Sequence, residues 1–190
     1  KAHQLTEQLL KVAPNSPSVL LLAGGVELQS GSLLQAQTHL ERTVKLSPDS
    51  ITARRMLVTA YLRSNQPERA LAALQPAQSK GPLPAELYST AAEVYLQNGD
   101  IKTAEDYFGK VAKQDPSDAG ARTSLALAHM VDGKTPLAFE ELQGIAASDK
   151  GTSADLALIS AYMKRGDHDS ALRAVDALER KQPTSPLASD

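Results

Sequence analysis

The sequence predicts an all-α fold of stacked antiparallel helix pairs, and two regularities of its spacing carry this prediction. Alanine recurs every 34 residues, with one step of 33, and a proline follows twelve residues after five of the six alanines. Between these marks the apolar residues fall at helical spacing. Because one helix pair cannot bury its own apolar faces, several pairs are expected to stack into a solenoid. The alanines are Ala2, Ala36, Ala70, Ala104, Ala138 and Ala171.

Each repeat is predicted to contain two helices joined by a defined turn. In the clearest copy, apolar residues between Leu87 and Leu96 lie on one face of a first helix, and those between Ala104 and Ala112 lie on one face of a second. A Gly or Asn stands five residues before each later alanine, and we expect it to end the first helix at positive φ. The proline stops the second helix. The turn residues are Gly31, Asn65, Gly99, Gly133 and Gly166.

Two further local signals predict helix starts and a close contact. Polar residues follow the prolines, as in Pro48-Asp49-Ser50 and Pro116-Ser117-Asp118, and they are suited to cap the next helix. The pair Gly24-Gly25 lies inside a helical stripe and has no phosphate-binding pattern around it. We therefore interpret it as a site of tight helix packing.

The composition narrows the classes of function. Aromatic residues make up 4% of a chain that is 42% hydrophobic, which indicates a core of Ala, Leu and Val. Twenty basic and twenty-two acidic residues are mixed along the chain, so we expect no nucleic-acid partner. The chain lacks Cys, which excludes disulfides and thiol chemistry. No run of 18 apolar residues is present, so we expect no membrane insertion by this segment.

No residue cluster has the spacing of a catalytic or metal site. The histidines His3, His39, His129 and His168 lack a nucleophile, an orienting group or further ligands at a useful spacing. We expect them to be packed or solvated. The sequence therefore predicts no enzymatic activity, no cofactor and no metal.

The 34-residue helix-turn-helix period, with small residues, an aromatic, Ala and Pro at fixed offsets, resembles the tetratricopeptide repeat (TPR). This resemblance covers essentially the whole chain, and it implies a right-handed α-α superhelix. With the proline counted as position 32 of each repeat, Gly24, Ala92 and Ala126 match the family's small residue at position 8. Its tyrosine at position 11 is matched by Tyr61, Tyr95 and Tyr162.

The chain departs from the family pattern at two positions. Glu27 and His129 replace the tyrosine of position 11 in two repeats. The tryptophan often found at position 4 is absent throughout. Its place is taken by Leu20, Arg54, Tyr88, Arg122 and Asp155.

The repeat numbering predicts one TPR array over residues 1–190. Ala2 and Pro14 fit only the second helix of a repeat, so we expect the parent protein to extend beyond both ends of this segment, and the exposed repeat ends to favour self-association. The predicted boundaries are 1–16 for the second half of a repeat, 17–50, 51–84, 85–118, 119–151 and 152–185 for full repeats, and 186–190 for the start of a next repeat or a tail.

The TPR resemblance implies that the first helices line a concave groove, which binds a protein or peptide. Position 12 supplies an apolar line along it, with charged residues beside it; the alternative is that these residues only pack against the adjacent repeat. The Lys and Asn clamp of chaperone-binding TPR domains is absent. The candidate groove residues are Leu28, Arg55, Thr59, Leu62, Arg63, Glu86, Ser89, Glu93, Leu96, Gln97, Leu127, Met130, Met163 and Lys164.

Three phrases resemble the TPR lipoproteins of the PEP-CTERM protein-sorting and exopolysaccharide system of Gram-negative bacteria: Ala13-Pro14-Asn15-Ser16-Pro17, the segment 61–74 and the segment 93–100. This resemblance implies a periplasmic or envelope-associated scaffold, whose lipid anchor would lie outside this segment. A cytoplasmic location is the alternative. In a second functional hypothesis the array is an accessory module of an enzyme, such as a glycosyltransferase, whose catalytic domain lies elsewhere in the parent protein.

Overall fold

The structure, a computed structural model, describes residues 2–79 and 81–182. These residues form eleven α-helices and one short 3-10 helix, with no strand among them, which confirms the all-α class. Pro183, the last predicted repeat mark, and the segment 184–190 lie outside the described residues. The helices are α1 (Ala2–Val12), α2 (Pro17–Ser30), α3 (Leu33–Leu46), α4 (Ile51–Arg63), α5 (Pro67–Gln78), α6 (Tyr88–Gln97, after the 3-10 turn Ala85–Leu87), α7 (Ile101–Gln114), α8 (Ala119–Val131), α9 (Thr135–Ser148), α10 (Ser153–Arg165) and α11 (His168–Lys181).

The chain divides into two compact units, residues 1–104 and residues 105–190, and the boundary falls within α7. In the N-terminal unit α2 packs on α3, α3 on α4 and α4 on α5, and α4 also contacts α6. In the C-terminal unit α8 packs on α9 and α10, and α10 packs on α11. Each unit thus consists of helix pairs in which consecutive helices pack together. The single array over residues 1–190, with its repeat boundaries, stays a prediction.

Residues in the left-handed region end the first helices, as the turn pattern predicts. The φ angles are 82° at Gly31, 55° at Asn65, 81° at Gly99, 83° at Gly133 and 75° at Gly166. Glycine adopts this conformation without a steric penalty, and asparagine is among the few other residues that tolerate it. All five predicted turn residues are therefore confirmed.

The predicted caps also form. Ser50 Oγ accepts a hydrogen bond from the Ala53 amide at 3.2 Å, and Asp118 Oδ1 accepts one from the Ala121 amide at 2.9 Å. Each oxygen satisfies an amide of the first helical turn that has no partner within the helix. The starts of α4 and α8 are thus fixed by side chains immediately before them.

Alanines and leucines fill the core, and five of the six period alanines are buried in it, whereas Ala2 is exposed. In the N-terminal unit Ala36 and Ala70 are fully buried and pack with Leu40 and Val58. In the C-terminal unit the Phe139 and Tyr162 rings lie 4.8 Å apart between centroids, beside Leu142, Ile145 and Leu158. The small residues let helix backbones approach closely, and the larger side chains fill the spaces between successive pairs.

Gly24 lies in a close contact between α2 and α3. A Cβ at this position would lie 2.6 Å from Leu40 Cγ and 2.8 Å from its Cδ2. Leu40 is fully buried, so it has no free space into which to move. A Cβ at the neighbouring Gly25 would lie 2.8 Å from Met56 Cε, which is the free end of a flexible side chain and can move aside. The predicted packing role is therefore borne out at Gly24.

Replacing Gly24 with alanine should destabilise the protein by about 1–3 kcal/mol, because the added methyl group overpacks the contact with Leu40. Urea unfolding measures the change. Gly144→Ala is the matched control, since Gly144 lies in α9 and a Cβ there meets no atom within 4 Å. The control should raise stability by about 0.5–1 kcal/mol, because alanine favours the helix over glycine. Equal effects of the two substitutions would contradict the close-contact interpretation.

Among the described cations of the N-terminal unit Arg54 is the most buried, and its side chain donates hydrogen bonds to backbone carbonyls. Its Nη1 donates to the Ala73 carbonyl at 2.6 Å and its Nη2 to the Pro48 carbonyl at 2.7 Å. Pro76 lies inside α5 and lacks the amide that would bond the Ala72 carbonyl, which is next in the chain to the Ala73 carbonyl that accepts from Arg54. Burial lowers the pKa of Arg54, while Asp49 raises it by a smaller amount. The guanidinium thus links three segments of the unit.

Arg54→Met should lower the free energy of unfolding by about 3 kcal/mol, because it removes two charge-assisted hydrogen bonds to partly buried carbonyls. Arg55→Met on the same helix is the control: Arg55 is exposed, so its loss should change stability by less than about 0.5 kcal/mol. Both variants are compared by thermal and urea unfolding. A loss no larger for Arg54→Met than for the control would refute the backbone-linking role.

Candidate protein-binding site

The first helices of the N-terminal unit present a charged face. Arg55 and Arg63 project from α4, and Glu86 and Glu93 belong to the adjacent 3-10 turn and α6; all four are exposed. The same face contains Thr59 on α4, which is half-buried, and the exposed Ser89 and Gln97 beside the glutamates. Two arginines on one helix therefore neighbour two glutamates on the next.

These charges do not neutralise one another. Within the described residues no ion pair joins either arginine to either glutamate, and Arg63 instead donates to the Leu28 carbonyl at 2.6 Å. Desolvation raises the pKa of Glu93, although solvent still reaches its side chain. A carboxylate in this condition is less well solvated than a free surface group, so a cation from a partner would be favoured beside it.

The predicted apolar line of position 12 is mostly packed. In the N-terminal unit Leu62 is buried, with 7% of its surface exposed, and Leu28 and Leu96 are half-buried. In the C-terminal unit Met130 is half-buried and only Met163 is exposed. The alternative that these residues only pack against the adjacent repeat thus fits Leu62 best. A role of the whole set in binding stays a prediction.

The first helices of the C-terminal unit present an apolar face instead. Leu127 and Val131 on α8 are 37% and 62% exposed, and Leu156 and Met163 on α10 are 55% and 53% exposed. Since α8 packs beside α10, the four side chains lie on neighbouring helices. We call them the α8/α10 face. Lys164 is exposed beside Met163 and adds a positive charge.

Sequence reasoning placed Leu127, Met163 and Lys164 in the candidate site but missed Leu156. The signal was available, because Leu156 stands at the same repeat position as Arg55 and Ser89, which are both candidate groove residues. The apolar line drawn through position 12 does not include it. Groups of exposed apolar side chains on adjacent helices mark interaction surfaces more often than isolated ones do.

Two histidines that seemed to lack partners form paired contacts. Glu27 Oε2 lies 2.7 Å from His39 Nδ1 between α2 and α3, and Glu141 Oε2 lies 2.7 Å from His129 Nδ1 between α8 and α9. Both pairs join residues twelve apart, with the Glu and His exchanged. They occupy the helix pairs in which Glu27 and His129 replace the position 11 tyrosine. A polar bridge thus takes over where the aromatic is missing.

The position 11 tyrosines also form hydrogen bonds, and the remaining two histidines lie on the surface. Tyr61 donates its hydroxyl hydrogen to Glu41 Oε1 at 2.8 Å, and burial, followed by this bond, raises the pKa of Tyr61 to about 12. Tyr162 accepts from Gln143 at 2.7 Å. His3 lies on the surface beside Glu7, and His168 is exposed at the start of α11. Among the described residues no three potential ligands converge on a metal position.

The exchange between the two pairs can be tested directly. Glu27→His and His39→Glu should each cost about 2 kcal/mol, because each places two like groups in a mostly buried contact. The double variant reproduces the arrangement that His129 and Glu141 already form, so it should recover most of the loss. Urea unfolding at neutral pH gives the coupling energy. Additive losses in the double variant would show that the bridge does not matter.

The described helices include none with the length and apolar character that crossing a membrane requires. Antiparallel helix pairs with left-handed turns after each first helix, small residues at the close contacts and an exposed first-helix face define a helical-repeat protein of the kind that binds other proteins. Family models identify the repeat. Two models described as tetratricopeptide repeat match residues 27–94 and 89–152, and one described as PPR repeat matches residues 156–182. The chain is therefore built of tetratricopeptide repeats.

Solved structures of low identity share this fold. The TPR protein YrrB, described as having an unusual peptide-binding site, is 15% identical with a TM-score of 0.63, over 94% of this chain and 93% of its own. A thermophilic TPR protein of Thermus thermophilus is 20% identical with a TM-score of 0.64, over 92% and 88%. The MamA protein of Desulfovibrio magneticus RS-1 is 18% identical with a TM-score of 0.66, over 75% and 80%.

One curated relative aligns over the full chain. Cellulose synthase operon protein C of Pseudomonas fluorescens (strain SBW25) is 22% identical over 202 residues. The chain spans only 16% of the length of that relative. The repeats make the chain suited to protein–protein interaction, and this fold typically serves as a non-catalytic scaffold.

Proposed function

We propose that this segment is a non-catalytic scaffold that binds a protein or peptide through the α8/α10 face. The observation that carries the proposal is the exposure of Leu127, Val131, Leu156 and Met163 on two adjacent first helices. Burial of apolar surface provides most of the binding free energy in such contacts. The flexible methionine lets the face adapt to its partner. The peptide-binding site ascribed to YrrB lends support by analogy of fold.

The partner belongs, in this proposal, to an envelope-associated machine that exports an exopolysaccharide. The similarity of the whole chain to part of cellulose synthase operon protein C supports this choice over protein sorting. A periplasmic location accompanies it. The specific resemblance to the PEP-CTERM lipoproteins remains a sequence-based prediction.

The α8/α10 face can be tested in the full-length protein of the organism that encodes this chain. A photo-cross-linking amino acid at position 127, 156 or 163 should trap the same partner protein from each position. Leu34 and Leu172, exposed on the second helices α3 and α11, are the matched control positions and should not trap it. Mass spectrometry identifies the trapped protein. Equal trapping from control positions would contradict the proposed face.

Substitution gives the second arm of this test. The triple variant Leu127→Ser, Leu156→Ser and Met163→Ser should weaken binding of the trapped partner at least about tenfold, since several exposed apolar contacts are lost. Leu172→Ser should leave it unchanged. Because all four side chains are exposed, the folded state should be little affected. Full binding by a folded triple variant would overturn the proposal, and a trapped partner with no role in polysaccharide export would overturn the assignment of the machine.

A further inference from the structure

Position 4 of the repeat carries a charged residue in three copies. In two of these copies the charged side chain binds other groups of the same unit. Arg54, 5% exposed, donates to two carbonyls, and Asp155, 4% exposed, forms an ion pair of 2.6 Å with Lys181. Arg122 is the third. It is half-buried, and within the described residues its side chain makes no hydrogen bond or ion pair. Its guanidinium is therefore available.

The second helices that follow the two arginines also differ. Nineteen residues after Arg54 stands Ala73, whose carbonyl is accessible beside Pro76. The equivalents in the C-terminal unit are Glu141 and Gly144 on α9. Gly144 keeps the amide that Pro76 lacks, so α9 has no proline at the place where α5 has one. The arginine keeps its place in the fold but loses its backbone partner.

Arg122 instead lines a cavity of about 280 Å³ that opens between α7, α8 and α9. The lining of the cavity contains two charged side chains, and its other residues are apolar. Arg122 and Glu141 both line it, yet no ion pair joins them, so space separates the charged atoms. The lining residues are Ala112, Pro116, Arg122, Leu125, Glu141 and Ile145.

Glu141 is held in place for a ligand by the bridge already described. Its Oε2 contacts His129 Nδ1 at 2.7 Å, which fixes the carboxylate while Oε1 has no partner among the described residues. Arg122 offers a planar fork of donors, which suits a carboxylate in a bidentate contact. A ligand with a carboxylate at one end and a nitrogen donor near it would satisfy both groups at once.

We propose that this cavity binds an aliphatic α-amino acid unit, with its carboxylate on Arg122, its nitrogen on Glu141 and its side chain against Leu125 and Ile145. The volume lies just below the usual range of about 300–1,000 Å³ for small-molecule pockets, so one residue rather than a longer ligand fits. Free amino acids and the last residue of a polypeptide share this chemistry. The site is separate from the α8/α10 face and does not depend on that proposal.

Three small probes test the site on the protein as it stands. L-leucine has both charged ends, N-acetyl-L-leucine imitates the last residue of a polypeptide, and L-leucinamide lacks the carboxylate. ¹⁵N NMR titration should show L-leucine or N-acetyl-L-leucine shifting amides near Arg122 and Glu141, with a dissociation constant on the order of 1 mM or below. L-leucinamide should bind at least about tenfold more weakly. Tighter binding of N-acetyl-L-leucine identifies a polypeptide end as the source, and tighter binding of L-leucine identifies the free amino acid.

Variants separate the two charges. Arg122→Met should abolish binding of both carboxylate probes, and Lys113→Met, an exposed cation on α7 that does not line the cavity, should leave it unchanged. Glu141→Gln should weaken L-leucine several-fold and N-acetyl-L-leucine less, because the amide oxygen still accepts from a neutral N–H. The amide spectrum shows whether each variant is folded. No shift with either carboxylate probe, or binding to Arg122→Met equal to that of the unsubstituted protein, would overturn the proposal.

Discussion

The close approach of the two helices within each pair is the constraint on which the rest of the structure depends. Gly24 leaves no room for a methyl group against Leu40, and Ala36 and Ala70 are fully buried at equivalent places along the chain. Because backbones this close exclude large side chains, the remaining apolar residues fill the spaces between successive pairs. The left-handed turn residues return the chain at the correct point for that contact. The small residues at these contacts therefore set the geometry that the exposed faces inherit.

The features that the sequence predicted well are those with a local physical cause. A glycine at Gly31 or Gly166 indicates positive φ because other residues pay a steric penalty there. Ser50 and Asp118 cap because their oxygens reach amides three residues away. Such signals need only a few neighbouring residues. The fold class follows from them once the period shows that they recur.

Contacts across a turn were beyond this kind of reasoning. Glu27 and His39 are twelve residues apart, and in the sequence neither residue indicates a contact with the other. Comparison with the family pattern shows only that Glu27 and His129 replace the tyrosine of position 11. Only the geometry of the helix pair shows that position 11 of the first helix meets position 23 of the second. The exposure of position 12 is similar, because Leu62 is buried and Met163 is exposed at the same repeat position. Neighbouring side chains decide the exposure, and a single repeat does not contain them.

The two units offer partners different kinds of interaction at equivalent positions. Arg55, Arg63 and the glutamates of the N-terminal unit are charges at the surface, and such contacts contribute little affinity but steer encounter and orientation. Leu156 and Met163 of the C-terminal unit expose apolar surface, whose burial slows dissociation. High salt should therefore reduce the association rate of a partner that contacts the charged face, while dissociation from the α8/α10 face responds little, because screening acts on exposed charges and leaves apolar burial in place. Substitutions on the charged face should accordingly lower the association rate, and substitutions on the α8/α10 face should raise the dissociation rate, even where both lower affinity equally.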